Sequence, residues 1–416
     1  MELINQPFSG QLGNRLIQML ESGSFHTLNV VVAFAKNSGV LRIKNALENF
    51  RKGGGKVNIY VGVDLGGTSY EALTALLLHA DTLNVVHAEK GQTFHPKIYQ
   101  FLGHEKSFIV VGSHNLTGGG LWTNFESSTL VTLSGSDTAA AHIRSGMDDF
   151  FTQLNSLSDS VMPIRTQENI ETLLENGYIS KEVTEQVRRS KAAQKIGSQQ
   201  RLFGYGVTAK LPHLPKSISQ DINSPSPPPS PPSPPSPAIV AAVFEDLTGM
   251  TIWFETRSLT GGSRNILDLS KKSLVTRGDP RGSSFDLGES KFMRGAVEFF
   301  GLNPEDIQQS KDITLNFEGV DYVGNTILFP TGNNANGTWR LQIKGISSTE
   351  VKITDAFRAK GEDHYLVEKI ITFTKIETDY YFLSVFPQTE MANFEAASQI
   401  LARNGAMISA RKLGIL

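Results

Sequence analysis

Apolar positions along the first 160 residues switch between two periods. The run Val30-Val31-Val32-Ala33-Phe34-Ala35 is continuous and β-branched, as a strand covered on both faces requires, whereas Leu41, Ile43, Ala46, Leu47 and Phe50 return at helical spacing. The same reading predicts a strand over 57–63 that closes on Asp64-Leu65-Gly66-Gly67, a helix over 69–79 and a strand over 83–87. Strands around 94–99, 106–111 and 126–133 follow, then a helix over 137–154 with Ile143, Met147, Phe150, Phe151 and Leu154 on one side. Strands alternating with helices argue an α/β layer with a largely parallel sheet, whose ligands gather near the strand ends. A further helical stretch, 166–195, is rich in charge (Lys181, Glu182, Glu185, Arg188, Arg189, Lys191) and reads as a solvated face or as a surface packed on a dimer partner.

Pattern then gives way to composition. Positions 212–237 hold eleven prolines, ending in a Ser/Pro run from Ser224 to Pro237, and form a linker or, alternatively, a ligand for a proline-binding domain. An extended polyproline segment rises about 3.1 Å per residue, enough to hold two domains several tens of ångströms apart. Beyond it, short β-type runs recur at 250–254, 312–317, 326–329, 338–343, 367–373 and 380–386, separated by Gly, Asn and Pro turns. They predict a barrel or sandwich, with helices over 290–300 and 394–404. The expected organisation is 1–165, a helical extension 166–211, the linker 212–237 and a C-terminal domain 238–416.

Length and composition set bounds. The 416 residues suffice for two or three domains, and 39% hydrophobic content supplies their cores. Absence of cysteine excludes disulfide frameworks and thiolate metal sites, and agrees with a reducing cytoplasm. The N-terminus lacks a basic region ahead of an apolar run, and no run reaches membrane-spanning length, so a cytoplasmic protein without a membrane partner is expected. A formal charge of -2 means that any nucleic-acid surface must be a local basic patch.

Candidate chemistry concentrates in one stretch. His95 and Lys97 stand two apart in Phe94-His95-Pro96-Lys97-Ile98-Tyr99, so on a strand both would face one way. The next predicted strand runs into Gly112-Ser113-His114-Asn115, where small and amide residues can approach an anionic oxygen, and Glu126 follows. Phosphoryl transfer through histidine needs an oriented imidazole, cationic or amide donors for the non-bridging oxygens and a second acid for the leaving group. His104-Glu105-Lys106 shows that the spacing alone is commonplace; here it falls in a turn. His114 reads as a solvent-facing neighbour, and His79 and His87 as partly buried packing residues. The glycine clusters at 66–67 and 118–120 lack phosphate-loop spacing, and Asp64 lacks the partners of a magnesium site.

At these positions the chain resembles the phospholipase D superfamily, whose signature is His-x-Lys followed by Gly-Ser-x-Asn, and more narrowly its metal-independent restriction endonucleases, which carry a Glu about ten residues past the Asn. The superfamily's usual Asp after a four-residue gap is absent, Leu102 standing there. The resemblance implies an N-terminal α/β phospholipase-D-like domain with His95 as nucleophile or its acid partner, Lys97 and Asn115 as phosphate ligands, Ser113 as a lesser contact and Glu126 as orienter of the histidine. No metal or other cofactor is implied. A superfamily site uses two His-x-Lys units and this chain offers one in a suitable setting, so a homodimer sharing one site is expected. In that subgroup a β-rich, B3-like pseudobarrel follows and grips double-stranded DNA. Candidate DNA contacts here are Arg257, Arg264, Lys271, Lys272, Arg277 and Arg281, with Ser263 and Asn265 nearby, and a second arm around Asn336 and Arg340; ordinary solvated loops are the rival reading. The expected activity is metal-independent, site-specific endonuclease cleavage through a phosphohistidine, with a modification methyltransferase and an ATP-dependent helicase-like protein as partners in related systems. Two alternatives stay open: a phosphodiesterase or phosphatidyltransferase acting on lipid or DNA ends, and a DNA-binding regulator with an idle dimerisation domain.

Overall fold

The computed structural model describes residues 1–134, 138–196, 206–207, 209–215, 249–259, 264–331, 337–361 and 364–416. Most of the proline-rich segment, from 216 onward, lies outside the described residues, as do Ser263 and Asn336. The chain divides into two units, Met1–Glu185 with Gly197–Pro215, and Gln186–Ile196 with Lys216–Leu416.

The first unit contains β1 (Glu2–Gln6), α1 (Leu12–Glu21), β2 (Thr27–Val32), α2 (Asn37–Lys52), β3 (Lys56–Gly62), α3 (Tyr70–His79), β4 (Thr82–Val86), β5 (Lys97–Leu102), β6 (Lys106–Gly112), β7 (Glu126–Ser134), α4 (Thr138–Ser156), β8 (Val161–Pro163) and α5 (Gln167–Glu175); α6 (Glu182–Ile196) follows. One sheet joins the strands in the order β1-β7-β6-β5-β2-β3-β4-β8. Here the largely parallel expectation fails: β2, β3 and β4 pair in parallel, and every other neighbour is antiparallel. The cause is connection length. Crossover helices α2 and α3 return the chain to the same sheet edge, whereas three residues, Gly103–Glu105, join β5 to β6 and can only reverse it. β1 and α1 lie ahead of the first predicted strand and are additional elements. The stretch 166–195 breaks into α5 and α6 around Asn176-Gly177, where Gly177 takes a φ of 78°.

Helix α2 buries Val40, Leu41, Ile43, Ala46, Leu47 and Phe50, the face its periodicity announced. A side chain at Gly39 would sit 2.6 Å from the Leu116 carbonyl oxygen, so the glycine lets the chain after β6 lie against α2. Leu116 donates to Phe34 O at 3.0 Å and accepts from Lys36 N at 3.0 Å, which extends β2 and pins the turn after β6 beside it.

The second unit contains β9 (Thr251–Glu255), β10 (Ile266–Leu269), β11 (Lys272–Arg277), β12 (Phe292–Arg294), α7 (Ala296–Phe299), β13 (Ser310–Phe317), β14 (Val320–Leu328), β15 (Trp339–Gln342), α8 (Ile353–Arg358), β16 (Lys369–Glu377), β17 (Tyr380–Pro387), α9 (Met391–Ala397), β18 (Ile400–Arg403) and β19 (Lys412–Ile415). The sheet order is open, β10-β15-β14-β13-β17-β16-β9-β19-β18-β11-β12. Edge strand β10 is followed after Ser270 and Lys271 by β11, nine positions across the sheet. Laid flat, nine spacings would cover about 43 Å, whereas that connection reaches roughly 11 Å. The sheet therefore curls round a core that includes Phe254, Phe299, Phe300, Phe373 and Tyr381. Two helix expectations are corrected. Over 290–300 the chain forms β12 and then the single turn α7, because Gly295 passes so close to Ser270 O that a side chain would lie 2.1 Å from it. Over 394–404 the helix ends at Ala397; Ser398, bonded to Phe394 O and Trp253 Nε1, turns the chain into β18.

Candidate active site

The ends of β2, β3, β4 and β6 and the starts of β5 and β7 lie along one edge of the first sheet, and the predicted residues sit there. β5 begins at Lys97, so His95 precedes the strand across Pro96 instead of sharing its face as expected. The two side chains meet nonetheless. Lys97 Nζ lies 2.8 Å from His95 Nδ1 and 3.0 Å from Nε2, and donates to His95 O at 3.0 Å. Lys97 is only 8% exposed, while His95 faces solvent. Burial holds the lysine below the ordinary ammonium range, and the negative charge of Glu126 pulls it partly back.

Asn115 is anchored by one end of its amide. Its Oδ1 accepts from Phe34 N at 3.1 Å, and among the described residues its Nδ2 has no partner. The Phe34 ring meets the His95 ring edge-to-face at 5.7 Å and lies 6.0 Å from Lys97 Nζ. One residue thus gathers imidazole, ammonium and amide: its backbone fixes Asn115 and its ring fixes the other two. The sequence offered Phe34 only as an interior strand residue. Gly67 makes room for it, since a Cβ there would stand 2.0 Å from the ring.

Ser113 and Glu126 form their own knot. The Ser113 hydroxyl donates to the Glu126 carboxylate and accepts from Ser127 N at 3.0 Å, and Asn124 Nδ2 donates to Glu126 Oε1 at 3.3 Å. Within one chain Glu126 makes no ion pair with His95; its partners are the turn residues. It acts on the site through its charge, which both Lys97 and buried Tyr99 feel.

Two further residues escaped the sequence. Asp64 is buried at the end of β3, with Oδ1 2.8 Å from His87 Nδ1 and Oδ2 accepting from Phe94 N at 2.9 Å. One carboxylate therefore ties down both ends of the loop that delivers His95, and His87 is a hydrogen-bond partner of Asp64 as well as a partly buried residue. His114 is not solvent-facing: it is 1% exposed, its ring nitrogens lack hydrogen-bond partners among the described residues, and burial lowers its pKa to about 4. Its carbonyl accepts from Tyr99 OH at 3.2 Å, which seats the turn. Asp64 stood in the sequence as a lone carboxylate after a strand, but its partners His87 and Phe94 are remote in sequence. His104 packs against His26, ring centroids 4.8 Å apart, away from this group.

The basic residues of the second unit are spread along its loops and strands. Arg257 pairs with Glu255 at 3.1 Å and Arg264 donates to Leu259 O at 2.9 Å; both have positive φ, 44° and 48°. Lys271 lies over Phe329, and Lys272 binds Glu289 at 2.7 Å and covers Phe292. Arg277 donates to Glu395 O and Ser398 O, Arg281 pairs with Asp279, and Arg340 lies 3.6 Å from Asp268. Asn265 Nδ2 donates to Ile343 O at 2.7 Å. Among the described residues no cluster of three or more His, Cys, Asp or Glu could hold a metal ion, and no helix is long and apolar enough to cross a membrane.

No family model matches the chain, and no curated protein does. Among solved structures it is similar to a phospholipase D family member, Nuc, from Salmonella typhimurium, at 15% identity over 40% of this chain and 97% of that one, TM-score 0.29. NucT from Helicobacter pylori matches at 16% identity over 37% of this chain and 94% of that one, TM-score 0.26. Phosphatidylserine synthase from Haemophilus influenzae matches at 10% identity over 47% of this chain and 46% of that one, under half its length, TM-score 0.31. Similarity of this size leaves the functional reading to the geometry of the site itself.

Proposed function

We propose that the protein is a metal-independent DNA endonuclease that cuts phosphodiesters through a covalent phosphohistidine on His95. The observation that carries this is the grouping of His95, Lys97 and the unengaged Nδ2 of Asn115 around Phe34. An imidazole nitrogen of His95 attacks phosphorus, and the bond to the leaving oxygen breaks. Lys97 Nζ and Asn115 Nδ2 take the non-bridging oxygens, whose charge grows in the transition state. The leaving oxygen takes a proton from the His95 of a second copy. Water then attacks phosphorus, gives its proton back to that second imidazole, and the P–N bond breaks. The single His-x-Lys unit in this setting supports a homodimer with one shared site.

In this reading the second unit is a B3-like DNA-recognition pseudobarrel. Its curled sheet and the basic residues Arg257, Arg264, Lys271, Lys272, Arg277, Arg281 and Arg340 on its loops and strands support that assignment, and Asn336, outside the described residues, belongs to the same proposal. The proline-rich segment separates reading from cutting, and a modification methyltransferase and an ATP-dependent helicase-like protein are the partners such an enzyme would need for restraint. The test is plasmid cleavage in excess chelator with mapped ends: the reading requires activity in the wild type, a defined cut position and loss of both in His95→Ala. Liposome headgroup release without DNA nicking would replace it with the lipid alternative.

A further inference from the structure

Two large apolar side chains stand in solvent beside the site. Phe8 is 70% exposed and Phe125 62%, yet their rings stack on one another, centroids 5.6 Å apart and planes 28° apart. A solvent-exposed phenyl pair held in one arrangement is an apolar patch suited to a flat partner.

The arrangement is rigidly held. Gln6, 1% exposed, donates from Nε2 to Gly119 O and Gly120 O at 3.2 Å and to Asn124 O at 3.1 Å. One buried amide thus bolts the turn carrying Phe8 to the turn carrying Phe125. The Phe8 turn is closed by Ser9 N to Asn5 O and Asn5 N to Ser9 Oγ, both 2.8 Å. Phe125 lies between Asn124 and Glu126, the pair whose side chains bind one another and whose carboxylate binds Ser113 of the candidate phosphate turn. The backbone at Gly206 runs past the ring edge, where a Cβ would sit 3.7 Å away.

We propose that Phe8 and Phe125 are a stacking platform for a nucleobase next to the phosphodiester attacked by His95. The site then prefers nucleic acid whose flanking base is unstacked, single-stranded or locally opened, over a bare phosphodiester. This rests on the phosphodiesterase reading above and deepens it by naming the substrate class. Every base has a π face, so stacking selects nucleic acid without selecting sequence.

The test uses the full-length protein and duplex oligonucleotides that carry the recognition site and the mapped cut within a locally unpaired stretch, with an abasic residue placed in turn at each position flanking the cut. Removing one base is expected to lower kcat/KM of the wild type by about 5- to 100-fold at one position. Phe125→Ala and Phe8→Ala lose a similar factor on the intact oligonucleotide and become indifferent to the abasic residue, and Phe125→Trp restores the difference. Equal cutting of abasic and intact strands by the wild type at every position overturns the platform alone. So does an equal loss on both substrates in the variants, or conversion of the variants to monomers in solution, which would make the pair a contact between copies. A wild type that cuts no nucleic acid removes the phosphodiesterase reading itself, and the platform with it.

Discussion

Lys97 and Lys272 are both lysines singled out for phosphate, and their surroundings differ in kind. Lys97 is nearly buried, with its ammonium on an imidazole and, among the described residues, no carboxylate paired to it. Lys272 is half exposed, salt-bridged to Glu289 and laid over Phe292. The contrast extends to their neighbourhoods. Around Lys97 each group has one end fixed and one end presented, as Asn115 does with Oδ1 on Phe34 N. Around Lys272 the basic side chains are tied to local carboxylates or carbonyls, as Arg281 is to Asp279 and Arg277 to Ser398 O. Groups already held in place by the fold cost little to organise when substrate arrives. Exposed ion pairs are worth about 0–1 kcal/mol and exchange readily for a phosphate. The first arrangement suits chemistry, the second adaptable contact.

Breaking the first region should therefore cost far more than breaking the second. His95→Ala is expected to lower chelator-resistant cleavage by at least about 10³-fold, the loss typical of removing a nucleophile; a few-fold loss would reduce His95 to a binding residue. Asn115→Asp separates anchoring from chemistry, because it keeps an acceptor for Phe34 N while turning the phosphate-facing end from donor to anion. Single-turnover rates should fall about 10²-fold with thermal unfolding unchanged; unfolding that shifts with the rate would make the amide merely structural. Asp64→Ala frees His87 and Phe94 N, both ends of the His95 loop, and about a tenfold drop in kcat with KM nearly unchanged is expected from steady-state kinetics. In the second region, Lys272→Ala or Arg277→Ala should weaken DNA binding about threefold and lower the salt slope of log Kd by roughly one, whatever the sequence bound.

A last effect concerns stability. His114 is buried neutral with its pKa lowered to about 4, so it favours folding above the ordinary imidazole range, and that contribution is lost as pH falls through about 4. In denaturant titrations the wild type should lose on the order of 1 kcal/mol between pH 6.5 and 5 relative to His114→Leu. Equal slopes would mean that the ring titrates freely.

How much of this was legible varied with sequence distance. The His-x-Lys pair and the Gly-Ser-x-Asn turn were readable as short local patterns, and His95 and Lys97 do meet. Phe34 was not, since its role depends on β2 lying beside β5 and on the chain after β6 bonding back to it. Asp64 and His87 are 23 residues apart and meet only because β3 and β4 are parallel neighbours ending at one edge. The strand directions were misread for a related reason: periodicity reveals an element, and connection length decides its direction. In the second unit the basic count was visible, but not which side chains would be occupied: Arg257 and Arg281 pair with carboxylates two residues away, whereas Lys272 and Arg340 meet Glu289 and Asp268 from other segments.

The most direct test of the central claim is to trap the intermediate. Wild-type protein is mixed with end-labelled DNA in excess chelator, quenched in alkali during the first turnover and digested for peptide mapping. The account predicts an acid-labile, alkali-stable DNA adduct on the peptide carrying His95, absent in His95→Ala. Cleavage that proceeds with no adduct, or with the adduct on another residue, would contradict it.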